Sequence, residues 1–227
     1  MTHMKTDAIF QMPDINDESA IQTHRNAVLA VFAKYFGNID EALEEALPKV
    51  LNIFRLLDGP VDLAVHAPNT RYLVKQFLSA RATPSLEEDI VDIDMQRVSN
   101  CGLCAKTPKG TIRILKGTTD GLPKAASEAR QKFSTANQMT FRFDPNEKEP
   151  KLQNLNLFVL WRMDAEHTYR GMQIALPRRV REDGTIECYW VAEWRSNGEA
   201  AAPLPVTHIA SDLDEIKALP SREKQNQ

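Results

Sequence analysis

The chain has 227 residues and a formal net charge of −3, with 42% apolar and 26% charged residues. That balance excludes a disordered chain, a collagen-like repeat and a coiled-coil rod, and no apolar run approaches a membrane-spanning length. Residues 1–22 are polar with acidic positions and show no apolar secretory core. Three cysteines cannot all pair within one chain, so a reducing cytoplasm is the expected compartment.

Charge is placed unevenly. Residues 1–95 hold eight Lys and Arg against fifteen Asp and Glu, a net of −7, whereas 96–227 carry +4. Over residues 97–143, nine basic side chains face only Asp120 and Glu128. Such a segment attracts phosphate with strong salt dependence. It would equally complement the acidic half, within one molecule or in a dimer.

Residues 1–16 lack a clear period, contain Pro13, and read as a mobile arm. Residues 17–36 predict a helix, capped by Asp17 or Ser19, with Ile21, Val28, Val31, Phe32 and Tyr35 at three- and four-residue steps. Gly37 reads as its C-cap, and Asn38 with Glu41 as the capping box of a second helix. That helix carries Leu43, Ala46, Leu47, Val50, Leu51, Phe54 and Leu57 along one face. Pro48 inside it predicts a kink or break near Leu47. A short helix follows over 61–67, Pro68 and Asn69 form a break, and 70–81 is helical with Tyr72, Leu73, Phe77 and Leu78 on its apolar face. The helical region is expected over 17–95.

A β region is expected over 96–219. Residues 101–106 and 111–115 flank Pro108, Lys109 and Gly110 as a hairpin. A helix over 124–136, a strand over 138–143 and a charged loop over 144–153 come next. Residues 155–163 form the strongest strand. Leu157, Val159 and Trp161 face one way and Phe158 and Leu160 the other, so the strand should be central and covered on both sides. Strands over 169–176 and 186–194 complete an antiparallel meander. An Ala- and Pro-rich linker over 198–205, a short helix over 211–219 and a polar tail over 220–227 end the chain. The fold class is α+β: an N-terminal helical region, then a mainly antiparallel sheet with short helices.

Residues 60–81 resemble the spacing of a helix-turn-helix. Ala64 is the small residue of the first helix, Val74 falls ten positions later and Phe77 thirteen later. Pro68 stands where the turn glycine is usual. The spacing implies that Asn69, Thr70, Arg71 and Lys75 face nucleic acid; ordinary helix packing explains the same apolar pattern. Lys106, Lys109, Arg113 and Lys116 form a second basic group. With a period of two, Thr111, Arg113 and Leu115 share one face and Ile112 and Ile114 the other. Arg113 is therefore expected on the solvent side, with Lys109 at the turn.

Cys101 and Cys104 have the spacing of half a zinc site, which Cys188, His167 or His208 would have to complete; reduced structural cysteines are the simpler reading. Carboxylates at Glu87, Glu88, Asp89, Asp92 and Asp94, and at Asp164 and Glu166 beside His167, would suit a magnesium-dependent hydrolase. They equally suit a solvated surface and a polar turn. Trp161, Tyr169, Trp190 and Trp194 read as core. The functional expectation is a non-enzymatic nucleic-acid-binding or regulatory protein without a cofactor or membrane contact. The alternatives are a module binding a protein partner or a second copy through its acidic helices, and a metal-dependent hydrolase.

Overall fold

The computed structural model describes residues 8–56, 61–81, 92–95, 103–118, 122–137 and 154–194. A short 3-10 turn, Ala8–Phe10, precedes helix α1, Glu18–Leu56, and helix α2, Leu63–Arg81. Strands β1 (Asp92–Met95), β2 (Leu103–Thr107) and β3 (Gly110–Lys116) lead to helix α3, Glu128–Thr135. Strands β4 (Leu155–Met163), β5 (Tyr169–Val180) and β6 (Ile186–Trp194) follow. The architecture is α+β, as the segregation of periodicities in the sequence predicts.

Helix α1 corrects the expected pair of helices. It runs unbroken for 39 residues through both Gly37 and Pro48. Phe32, Phe36, Ile39, Leu43, Leu47, Val50 and Phe54 make one buried stripe across both positions. Pro48 removes a donor and costs roughly 3 kcal/mol, but it lies on the exposed side, where the freed Glu44 carbonyl meets water. Leu47 and Val50 beside it are fully buried, and each contributes about 1.5–3 kcal/mol. Packing wins over the local breaker. Within the stretch read as a mobile arm, Ile9 is fully buried and its carbonyl accepts from His24 Nε2 at 2.9 Å. Trp190 Nε1 donates to His24 Nδ1 at 3.1 Å, so one imidazole joins the N-terminal turn and α1 to the far strand of the sheet.

Helix α2 is also continuous. Asp62 caps it, accepting from Ala64 N through its side chain at 2.8 Å. Pro68 falls within its second turn, where its missing donor leaves only the carbonyl of the exposed Ala64 unbonded. There is no turn at Pro68, so the helix-turn-helix geometry is absent.

The sheet has six strands in the order β1 to β6. All neighbours are antiparallel except β3 and β4, which pair parallel, Ile112 opposite Leu157 and Ile114 opposite Val159. Residues 117–154 are long enough to form the crossover that parallel pairing requires, and they carry α3. Strand β1 extends the sheet to Asp92, inside the stretch assigned to helices, and the β2–β3 hairpin turns at Pro108 and Lys109. Strand β4 is central, with Leu157, Val159 and Trp161 packed towards α1 and α2, and Phe158 and Leu160 towards α3. Asn137, just past α3, fastens that side: its amide donates to Asn156 O at 2.8 Å and Pro177 O at 3.0 Å, and accepts from Asn156 N. The strand expected over 138–143, the loop over 144–153, the linker, helix and tail after residue 197, Cys101, and Glu87, Glu88 and Asp89 lie outside the described residues.

Two glycines give opposite expectations. A Cβ on Gly37 meets nothing within 4 Å, so Gly37→Ala should raise the unfolding free energy by about 0.5–1 kcal/mol. A Cβ on Gly110 would lie 2.1 Å from Leu155 O, forcing β3 from β4, so Gly110→Ala should cost about 2–3 kcal/mol. Urea midpoints moving in these two directions at a common m-value check the pairing.

Candidate functional site

The sheet has two chemically distinct ends. At one end lie the β2–β3 turn, the start of β4, the end of β5 and the start of β6. At the other lie the ends of β3 and β4, the turn at 164–168 and the end of β6.

The first end is basic. Pro177 cannot donate to the ladder, and the β5–β6 register shifts on both sides of it. The bulge brings three guanidiniums to one carboxylate: Arg179 and Arg181 donate to Glu187 from either side, and Arg178 Nη1 lies 3.9 Å from it. The Arg179 hydrogen bond, helped by Arg181, holds the Glu187 carboxyl down at about 2. Glu187 itself opposes three bases, and the β5–β6 turn adds the exposed acids Glu182 and Asp183, with Lys124 acting on Asp183 together with Arg181. Glu187 is mostly covered, while the Arg179 and Arg181 side chains are 51% and 45% exposed. Lys109, in the β2–β3 turn, is at the same end, and its carbonyl accepts from Leu155 N at 3.0 Å. Three strand spacings separate β3 from β6, about 14 Å.

The second end is aromatic and partly cationic. His66 on α2 is fully buried and stacks on Phe54 at 6.0 Å. Its ring lies 6.3 Å from that of Trp161 and 6.2 Å from that of His167. Thr70 donates its hydroxyl proton to His66 O at 3.0 Å, so Thr70 Oγ1, 3.4 Å from Nδ1, acts there as acceptor. That network assigns the proton to Nδ1 and leaves the lone pair on Nε2. Burial, then the charges of Lys116 and His167, push His66 down to about 4, so it is neutral at pH 7. Nearby, Tyr169 OH donates to Asp40 on α1. Burial raises the Asp40 carboxyl against the pull of that bond.

The residues expected to contact nucleic acid do not form one surface. Thr70 is fully buried against His66, and Asn69, Arg71 and Lys75 are half-buried along α2. Arg113 does not project to solvent. It is 5% exposed, and its guanidinium carbon lies 5.8 Å from the Phe133 ring, because α3 covers that side of β3. Lys116 shares parity with Ile112 and Ile114 and belongs to the opposite face and the opposite end. Lys106 is exposed beyond Cys104, and Lys109 is half-exposed at the turn.

The carboxylate reading also changes. Asp164 accepts from Glu166 N and Thr168 N and pairs with Arg170, so it is committed to its turn. Among the described residues no three His, Cys, Asp or Glu side chains converge. Cys104 is buried, and burial pushes the Cys188 thiol up to about 12. Arg178, Arg179 and Arg181 are absent from the residues expected from the sequence, although three arginines within four residues are a visible signal. His66 had none, because a single histidine on an apolar helix face looks like core. Comparison of the chain with protein-family models, with curated proteins and with solved structures gives no match.

A pH dependence follows from His66. An unfolded histidine takes its proton near pH 6.5, whereas folded His66 refuses it until about 4. Stability is therefore fully present above about 6.5 and is lost as pH falls through that window; His24, lowered by burial, acts in the same direction. The urea midpoint should drop across this range, and His66→Phe, which keeps the ring stack, should flatten the drop.

Proposed function

We propose that this chain is a non-enzymatic protein that binds nucleic-acid phosphates through the basic end of its sheet. The observation that carries the reading is the sharing of Glu187 by Arg178, Arg179 and Arg181. Arginine suits this role, because its planar fork matches phosphate oxygens and is always charged. The carboxylate holds Arg179 and Arg181 in place without neutralising the group, so little side-chain freedom remains to be lost on binding. Lys109 supplies a further cation at that end, with Lys106 exposed on the adjoining strand. These contacts go to the backbone and carry no base readout. The role lies with the two hairpins and not with α2.

A second reading is a protein-interaction module. It is favoured by apolar side chains left at the surface of the two helices: Leu56 at 84%, Tyr72 at 52%, Ile53 at 47% and Val65 at 46% exposure. Val65 and Tyr72 stand two turns apart on α2 and share a stripe.

The experiment is binding of short labelled DNA and RNA, single-stranded and duplex, across a salt series. The combined variant Lys109→Gln, Arg179→Gln and Arg181→Gln should stay folded and bind more weakly. Its log–log salt slope should be shallower by about 0.7–0.9 for each lost contact. Folded wild-type protein with no affinity for any of these at low salt would sink the reading and leave the protein-interaction role.

A further inference from the structure

His66, Trp161, Lys116 and His167 converge at the end of the sheet remote from the arginines, and phosphate binding at those arginines makes no use of them. Two of the four carry a buried polar atom with no hydrogen-bond partner: His66 Nε2 and Trp161 Nε1. Both residues are 0% exposed. Leaving such an atom unsatisfied costs about 1–3 kcal/mol, and here two occur in residues whose rings are 6.3 Å apart. Phe in place of His66 would avoid the cost and keep the ring stack on Phe54. The polar atoms therefore point to a ligand.

The surroundings specify its charge. Lys116 lies opposite Trp161 in the β3–β4 ladder, half-buried, and burial lowers its ammonium pKa. His167 flanks His66 and is held at a φ of 60°, in the left-handed region that residues other than glycine seldom adopt. The charges that act on His66 are those of Lys116 and His167. Of the carboxylates on the neighbouring elements, Asp40 is engaged by Tyr169 and Asp164 by its own turn and Arg170, while Glu166, next to His167, is exposed to solvent. Lys116 and His167 are half-buried, and His66 and Trp161 beside them are fully buried.

We propose that these four residues bind a small oxyanion, the carboxylate or phosphate group of a small molecule. Trp161 Nε1–H and the Lys116 ammonium donate to it. His66 takes up a proton at Nε2 and becomes a third donor, so binding at neutral pH is coupled to proton uptake. The desolvation that keeps His66 neutral in the free protein is offset once an opposite charge arrives beside it.

The test is an NMR titration of the isotope-labelled full chain, following the imidazole Cε1–H signals, with acetate and inorganic phosphate as separate probes. The His66 and His167 signals should shift saturably, and His66 should titrate at higher pH in the bound state. His24, with both nitrogens bonded, should not move. Saturation by one probe and not the other identifies the group as carboxylate or phosphate. Lys116→Gln, at a half-exposed position, should weaken binding about tenfold. The Lys109, Arg179 and Arg181 glutamine variant should bind as wild type does, which separates this site from the nucleic-acid surface. No saturable shift of His66 with either probe, or undiminished affinity in Lys116→Gln, overturns the proposal.

Discussion

Strand β4 is apolar on both faces, and this property sets the layout of the molecule. A strand that offers Leu157, Val159 and Trp161 to one side and Phe158 and Leu160 to the other must be covered twice. The long helices cover the first side. The second needs a separate element, and the chain supplies it by leaving the sheet after β3, crossing with α3 and returning as β4. That detour makes β3 and β4 parallel within a sheet otherwise built of antiparallel neighbours. Gly110 allows the two backbones to meet at the start of the pair. Arg113 is buried for the same reason, since the element that covers Phe158 also covers its partner in the register.

Helix α1 is tied to the sheet by polar contacts to the middle of β6 and the start of β5. His24 bridges Ile9 and Trp190, and Asp40 accepts from Tyr169. Each is a buried polar group with its hydrogen bond made, and each fixes where along the sheet the helix lies. The stripe from Val28 to Phe54 supplies the apolar area. The contrast with His66 is informative: His24 has both nitrogens bonded, whereas His66 has one bonded edge and one buried lone pair. Both histidines looked alike in the sequence, as single polar residues on apolar faces.

Strand content was legible in the sequence because its signals are local. The hairpin at Pro108 and Lys109, the double-faced strand at 155–163 and the strand at 186–194 rest on alternation and turn residues, and the structure follows them closely. Helix continuity was less legible. Gly37, Pro48 and Pro68 are local breakers, but the stripe that overrides them depends on a sheet whose distance in sequence no helix pattern reveals. Arg113 failed for a related reason. Alternation correctly assigned it to the face opposite Ile112 and Ile114, and only the crossover, a tertiary feature, decided that this face is also interior. Lys116, grouped with Arg113 in the sequence expectation, falls by the same parity rule with the isoleucines and away from Arg113.

The two ends of the sheet differ in the medium that surrounds their charges, and that difference governs what each can do. Arg179 and Arg181 stand in water, where charges separated by more than about 8–10 Å are screened at physiological salt. They act through number and through preorganisation by Glu187, and they suit a polyanion that replaces many counterions at once. His66 and Trp161 stand outside water, where a single opposite charge shifts a proton and where an unmatched polar atom is costly. An end of that kind suits one small group held at close range and would exclude a polymer. The sheet separates the two because β3 and β4 run parallel: their starts lie beside the arginine-bearing hairpin, and their ends deliver Lys116 and Trp161 together beneath His66. An antiparallel β3–β4 pair would have placed Lys116 beside Leu155, and neither the cation nor the indole would have had the other as a neighbour.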